Sequence, residues 1–151
     1  MNVAIGSDHG GFLLKEEIME RLQKQVQVTD CGCFSSEPIH YPEIASKVAA
    51  LVLHKKCDCG ILLCGTGIGM SIAANKIPGI RAAHCADTYS ARMAKEHNNA
   101  NIIALGARTL GNEYAWGIIQ AYLRSGFLGG VHQERLTLIE NIEKEYMGEK
   151  A

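Results

Sequence analysis

Residues 60–76 of this chain read GILLCGTGIGMSIAANK and decide its fold. Positions 61–63 form a continuous apolar run, which is typical of a β-strand covered on both faces. Three glycines follow at alternate positions, Gly65, Gly67 and Gly69, and they allow the backbone to turn tightly and to approach a ligand closely. Small and apolar residues then resume at helical density. The stretch predicts a buried strand, a glycine loop and a helix start whose free backbone N–H groups can bind an anion.

The glycine spacing matches neither of two common nucleotide-binding motifs. The dinucleotide motif G-x-G-x-x-G would need a glycine where Met70 stands, and no Gly-Lys-Ser/Thr follows as in a P-loop. The loop does carry Cys64, at the junction between the strand and the helix. Because thiolates are stabilised at helix N-termini, Cys64 could act as a base or a nucleophile. It could also be a small buried core residue, as free cysteines often are.

The composition is that of an ordinary globular chain. At 151 residues we expect one domain spanning 1–151. Hydrophobic residues make up 47% and charged residues 21%, and the formal net charge is −1, so nucleic acid is not an expected partner. No apolar stretch approaches the length of a bilayer span, and Met1 leads into a predicted strand rather than a signal peptide. We therefore expect a cytoplasmic protein without membrane association.

The chain contains six cysteines, and four of them form two C-x-C pairs. These pairs are Cys31 with Cys33 and Cys57 with Cys59. Their spacing differs from the C-x₂-C spacing of structural zinc sites, so we expect reduced thiols and no metal. A metal site would remain possible if the two pairs met in space.

Strand and helix patterns alternate along the whole chain. The predicted strands cover residues 3–6, 26–30, 61–63, 80–83 and 101–106. The predicted helices lie near residues 14–22, 42–52, 70–76, 88–95, 112–123 and 132–146. This alternation predicts an α/β protein, a three-layer α/β/α Rossmann-like fold with a five-stranded parallel sheet and an extra C-terminal helix. The last helix has no further strand to cover, so its apolar stripe should pack on another subunit or across the domain.

Ligands of such sheets bind beyond the carboxyl ends of the strands. We therefore expect the site to form from polar side chains that follow the strands. The candidates are Asp8 and His9 after the first strand, Cys64 and Thr66 after the third, His97 and Asn98 from the helix before the fifth, and Arg108 after the fifth.

Several of these residues also have a simpler interpretation. Asp8 could cap the first helix, and Thr66 could serve only its own turn. His97 could be a surface histidine, since it follows a polar helix end. Arg108 and Arg135 could be solvated charges. The argument for a functional site is their expected convergence, and no single residue carries it.

Four motifs resemble a known enzyme family. They are GSDHGGF at 6–12, DCGILLCGTGIG at 58–69, AANK at 73–76 and EHN at 96–98. Together they resemble the type B ribose-5-phosphate isomerase family, which also contains allose-6-phosphate and galactose-6-phosphate isomerases. The likeness runs in the same order from residue 2 to about residue 145. It implies an aldose–ketose isomerase that acts on a sugar phosphate of five or six carbons, without metal or cofactor, through an enediolate.

The resemblance also assigns roles to residues. Some relatives lack the cysteine and carry a glutamate at the position of Met70. Since Met70 cannot act as a base, the resemblance leaves Cys64 as the base that moves a proton between C2 and C1. Asp8 and His97 would open the sugar ring, with Thr66 nearby. The remaining substrate contacts would come from the loop residues Gly65, Gly67, Ile68 and Gly69, from Asn98 on the hydroxyl groups, and from Tyr41.

The phosphate end is where this chain departs from the family pattern. The resemblance places His9, Arg108 and Arg135 on the phosphate, with Arg135 reaching over from a partner subunit. Many relatives have the sequence Gly-Gly-Arg-His, whereas this chain has Val131 in place of the arginine, followed by His132. Arg135 would then act alone or with His132. We expect a homodimer or a dimer of dimers whose active site is shared between subunits.

Overall fold

The computed structural model describes residues 1–147, which form five strands and six helices. In chain order these are β1 (Asn2–Ser7), α1 (Phe12–Leu22), β2 (Gln27–Asp30), α2 (Tyr41–Leu53), β3 (Cys59–Cys64), α3 (Ile68–Ala74), β4 (Ala82–His84), α4 (Thr88–Glu96), β5 (Ile102–Gly106), α5 (Asn112–Leu123) and α6 (Val131–Met147).

All five strands are parallel and lie in the order β2-β1-β3-β5-β4. The strand β3 is therefore central, with β1 on one side and β5 on the other. Its last residue, Cys64, is in register with Gly106, the last residue of β5. The carboxyl ends of the strands form one edge of the sheet, which we call the carboxyl edge, and their starts form the amino edge.

Helices cover both faces of the sheet. Successive residues of β3 point to opposite faces, so Ile61 and Leu63 pack under α1, α4 and α5, while Leu62 and Cys64 pack under α2 and α3. The side chains at 61–63 are completely buried. These observations confirm the predicted α/β fold and the prediction that this strand is covered on both sides.

Small differences from the predicted boundaries have local causes. The fourth strand was expected at 80–83 but covers Ala82–His84. Ile80 donates its N–H to a turn carbonyl, and the N–H of Arg81 donates to the side chain of Asn101 at 2.8 Å, so neither pairs as a strand residue. At α4, the predicted cap is present, since Oδ1 of Asp87 accepts the N–H of Ser90 at 2.7 Å.

The C-terminal helix α6 buries little of its surface in this chain. Leu136 is buried, but Leu138, Ile142 and Tyr146 are 63%, 57% and 72% exposed. Apolar side chains are thus left exposed on the helix in this chain, and their packing on another subunit stays a prediction. Within residues 1–147 no helix is long and apolar enough to cross a membrane.

Candidate active site

The central contact of the carboxyl edge lies between Cys64 and the glycine loop. The backbone N–H of Gly67 donates to Sγ of Cys64 at 3.0 Å. Gly67 has φ +79°, and a methyl group built there would lie 2.8 Å from the carbonyl carbon of Leu105. Glycine tolerates both this φ and this close approach. The loop backbone can therefore turn back toward Sγ of Cys64. A donor aimed at sulfur stabilises negative charge on it, which is what a thiolate base requires.

Three other cysteines have a different environment. Burial raises the pKa of Cys31, Cys59 and Cys85 to about 11. These groups therefore remain neutral thiols near neutral pH and act as core residues. Among residues 1–147, no three or more His, Cys, Asp or Glu side chains come together as a metal-binding group, and the two C-x-C pairs do not build one.

Asp8 lies where β1 ends, next to Cys64. Its N–H donates to the carbonyl of Leu63 at 3.1 Å, and its side chain is almost fully buried. Oδ1 accepts the N–H groups of Gly10 and Gly11 at 2.8 and 3.1 Å. The carboxylate thus closes the turn that leads into α1, which agrees in part with the simpler interpretation of this residue. This turn also holds it in one orientation at the carboxyl edge.

The side chain of Arg108 lies against two turns that contain glycine, at Gly10 and at Gly65. The backbone N–H of Arg108 donates to the carbonyl of Gly65 at 3.0 Å. A methyl group built at Gly65 would lie 3.4 Å from Cδ of Arg108, and one built at Gly10 would lie 3.5 Å from Nη2. The guanidinium group is therefore close to the Asp8 turn and the Cys64 loop while the residue stays exposed. It supplies the positive charge of this edge.

Two further predicted residues lie at the same edge. Nδ1 of His9 accepts the N–H of Ile39 at 3.4 Å, so the imidazole rests against the loop before α2. The ring of Tyr41 covers Gly69, where an added methyl group would lie only 3.0 Å from Cζ. Glycine at this position lets the aromatic ring approach the loop closely.

Thr66 and Ile68 shape the loop itself. Oγ1 of Thr66 accepts the N–H of Ile68 at 3.4 Å, so this hydroxyl serves its own turn, and both side chains are exposed. The carbonyl of Thr66 lies 2.9 Å from Nε2 of His84. Sequence reasoning missed His84, although it ends a strand, because the pairing of β4 with β5 was not predictable from the sequence.

His97 and Asn98 do not join this group, and here the prediction was wrong. The helix α4 follows β4 and precedes the parallel strand β5, so it runs back across the sheet and ends at the amino edge. The guanidinium of Arg81, which precedes β4, donates to the carbonyl of Asn98 at 3.2 Å. From Ile102 to Gly106 the strand β5 alone advances about 13 Å, which separates this end from Cys64.

At the amino edge, His97 meets the start of α6. The rings of His97 and His132 are stacked, with centroids 4.1 Å apart and an angle of 11° between their planes. Burial and the nearby charges of His97 and Arg135 lower the pKa of His132. Arg135 follows one helical turn later and is exposed.

The predicted site residues therefore form two groups in one chain. The carboxyl-edge cluster contains Asp8, His9, Tyr41, Cys64, Thr66, Ile68 and Arg108 with the glycine loop. The amino-edge cluster contains His97, Asn98, His132 and Arg135. The first offers a thiol with a backbone donor, a carboxylate and a guanidinium. The second offers two imidazoles and a guanidinium. These groups can bind an anion, and the imidazoles can exchange protons with the hydroxyl groups of a ligand.

Comparison with known proteins gives concordant matches. Residues 3–139 match the family model described as Ribose/Galactose Isomerase. Ribose-5-phosphate isomerase B of Escherichia coli (strain K12) is 48% identical over 143 residues, which cover 94% of this chain and 96% of that protein. D-erythrulose-4-phosphate isomerase of Pectobacterium atrosepticum is 49% identical over 135 residues, which cover 86% of this chain and 87% of that protein.

The fold is equally similar to a solved structure. The structure of Clostridium thermocellum ribose-5-phosphate isomerase B superimposes with a TM-score of 0.95 at 50% sequence identity. The match covers 97% of this chain and 99% of that chain. Sequence and fold therefore agree over nearly the full length.

Proposed function

The chain belongs to the ribose/galactose isomerase family, and we propose that it interconverts ribose 5-phosphate and ribulose 5-phosphate with Cys64 as the base. The observation that carries this proposal is the N–H of Gly67 held 3.0 Å from Sγ of Cys64 at the carboxyl edge. A thiolate there could take the proton from C2 of the open-chain aldose and return it to C1. The reaction moves hydrogen within one molecule, so no outside oxidant or reductant is needed.

The glycine loop would stabilise the intermediate. When the C2 proton leaves, its electron pair forms the C1–C2 double bond, and negative charge develops on the carbonyl oxygen. Backbone N–H groups of residues 65–69 are suited to receive that charge, because they are fixed before the reaction begins. Asp8 and His97 would exchange the hydroxyl proton that opens the sugar ring, and Asn98 would hold hydroxyl groups.

The complete site would take residues from two chains. Within one chain, Cys64 and His97 lie at opposite edges of the sheet, so they cannot serve the same sugar. A second copy packed on the exposed stripe of α6 would bury apolar surface and bring its own amino-edge cluster to the carboxyl-edge cluster of the first chain. A two-fold dimer would thereby form two equal sites, and a dimer of dimers would repeat them.

In this arrangement the phosphate group would lie between cations of both chains. His9 and Arg108 would come from one chain, and Arg135 with His132 from the partner. The family resemblance would place an arginine where this chain has Val131, so the phosphate would meet one cation fewer. We expect Arg135→Ala to raise KM more than it lowers kcat, because a guanidinium–phosphate bond is made in both ground and transition states.

The preferred sugar is tested by one assay series. The purified protein is offered ribose 5-phosphate, allose 6-phosphate, galactose 6-phosphate and erythrulose 4-phosphate, with and without EDTA. We expect the highest kcat/KM with ribose 5-phosphate and no effect of the chelator. Higher kcat/KM on a hexose phosphate would favour the alternative hexose-phosphate isomerase. Binding without turnover of any sugar would indicate a phosphate-binding module instead.

We also propose a cytoplasmic location for this activity. The six cysteines are all free, and a reducing compartment keeps thiols in that state. A base that must be a thiolate depends on the same condition, since oxidation of Cys64 would remove it.

A further inference from the structure

The helix α6 is anchored at both ends of one face. His132, Leu136, Ile139 and Glu143 follow the spacing i, i+4, i+7 and i+11, so they share a face of the helix. His132 stacks on His97, and Leu136 is buried. Ile139 and Glu143 line a cavity of about 350 Å³ together with Arg81 and Asn98. The two polar ends of this face are about 16 Å apart along the axis.

Glu143 makes the contact at the far end. Both of its carboxylate oxygens accept the N–H of Gly79 at 3.0 Å. Gly79 has φ +83°, so it occupies a turn that favours glycine. The carbonyl of Gly79 accepts Nδ2 of Asn101 at 2.9 Å, and Oδ1 of Asn101 accepts the N–H of Arg81 at 2.8 Å. The end of α6 is thereby connected to the start of β4.

Arg81 continues the connection to the loop after α4. Its Nε donates to the carbonyl of Asn98 at 3.2 Å, and its Nη2 donates to the carbonyl of Asn99 at 3.1 Å. Asn99 has φ +43°, a left-handed conformation that a non-glycine residue adopts only at a cost. The guanidinium group offsets that cost by binding the two carbonyls that this turn presents. His97, directly before this turn, stacks on His132 and closes a ring of contacts.

We propose that Glu143 and Arg81 are positioning residues that hold the amino-edge cluster in its working arrangement. Neither belongs to the cluster of residues assigned to substrate. Glu143 sets the position of α6, and with it His132 and Arg135. Arg81 sets the loop that carries His97 and Asn98. The consequence for catalysis rests on the proposed function, whereas the consequence for the stacked rings does not.

The test is the variant Glu143→Ala beside two controls. Glu143→Gln keeps an acceptor for the N–H of Gly79, and Glu140→Ala removes an exposed glutamate from the same helix. The first readout is the titration of His132 by NMR, since burial and the charge of His97, both of which depend on the position of α6, lower its pKa together with Arg135. We expect the midpoint of the His132 titration to rise toward the ordinary histidine pKa in Glu143→Ala and to stay low in both controls.

The second readout is isomerase activity. Displacement of Arg135 and His97 should lower kcat/KM by about tenfold or more in Glu143→Ala, with recovery in Glu143→Gln. Unchanged His132 titration in a folded Glu143→Ala protein would overturn the proposal, whatever the enzyme's substrate. If Glu143→Ala does not fold, Arg81→Lys tests the same ring, because a lysine cannot bind both carbonyls with a planar fork. An unchanged His132 midpoint and unchanged activity in Arg81→Lys would overturn it as well.

Discussion

The imidazole ring of His97 lies parallel to that of His132, with centroids 4.1 Å apart. Two imidazoles this close do not readily carry two positive charges. The stack joins the loop after α4 to the first turn of α6, at the edge of the sheet opposite to Cys64. Under the proposed function, Cys64 and these two histidines would therefore serve one site only if they came from two chains.

The pH dependence of stability should reveal the stack. Burial and the charges of His97 and Arg135 lower the pKa of folded His132 below its unfolded value of about 6.5. Below that pH the unfolded chain binds more protons at this position than the folded chain, so the free energy of unfolding decreases as pH falls. We expect the free energy of unfolding of His132→Gln, measured with urea, to decrease less steeply than that of the wild type between neutral pH and about pH 5. Parallel curves for the two proteins would contradict this.

Replacement of Cys64 tests the base directly. Cys64→Ala should lower kcat by at least about 10²-fold while KM for the sugar phosphate changes little, because the phosphate contacts remain. Exchange of the C2 proton with solvent should be lost in parallel. Cys33→Ala provides a matched control, since it removes another buried thiol at the carboxyl edge. Near-normal turnover in Cys64→Ala would exclude the thiolate mechanism.

The thiols should also differ in reactivity. Burial raises the pKa of Cys59 and Cys85 to about 11, so both should resist iodoacetamide near neutral pH and react faster only as the pH approaches that value. Labelling of Cys64 should be slowed by bound ribose 5-phosphate. Peptide mapping by mass spectrometry measures each site. Labelling of Cys59 and Cys85 at neutral pH as fast as at pH 11 would contradict the raised pKa values.

Ring opening can be separated from isomerisation by the choice of substrate. In a four-carbon 4-phosphate the hydroxyl that would close a furanose ring is blocked, so this sugar stays open-chain. His97→Ala should therefore lose about tenfold or more activity on ribose 5-phosphate and much less on erythrulose 4-phosphate. Steady-state kinetics with both sugars gives the two ratios. Equal losses would assign His97 to the isomerisation step or to the fold alone.

Much of the fold and half of the site follow from local sequence patterns. The run at 61–63, the three glycines and Asp87 specify a buried strand, a turn and a helix cap through short-range physics, and the structure agrees with them. Asp8, Cys64 and Arg108 were placed correctly because residues that follow a parallel strand always lie at the carboxyl edge.

The other half depends on the topology of the sheet. His97 follows a helix rather than a strand, so the antiparallel return of α4 carries it to the amino edge. The contact of His84 with the loop requires that β5 lie between β3 and β4, which no local pattern encodes. Arg81 contacts Asn98, and Glu143 contacts Gly79, which are distant from them in sequence. No local sequence pattern indicates these contacts.

The proposed shared site is tested most directly by mixing chains that are each impaired in a different cluster. Cys64→Ala removes the base from the carboxyl-edge cluster, and Arg135→Ala or His97→Ala damages the amino-edge cluster. In a mixed dimer, the intact carboxyl-edge cluster of one chain would face the intact amino-edge cluster of the other and form one complete site. The control pair is Cys64→Ala with Asp8→Asn, because both changes lie in the same cluster and no combination restores it.

The decisive measurement is isomerase activity after subunit exchange of Cys64→Ala with His97→Ala. Random exchange should restore about one quarter of the wild-type activity, since half of the dimers are mixed and each has one intact site. The control pair should stay inactive under the same conditions. Absence of recovery, in mixtures whose exchange is verified by native mass spectrometry, would contradict the account and place His97 outside the site that contains Cys64.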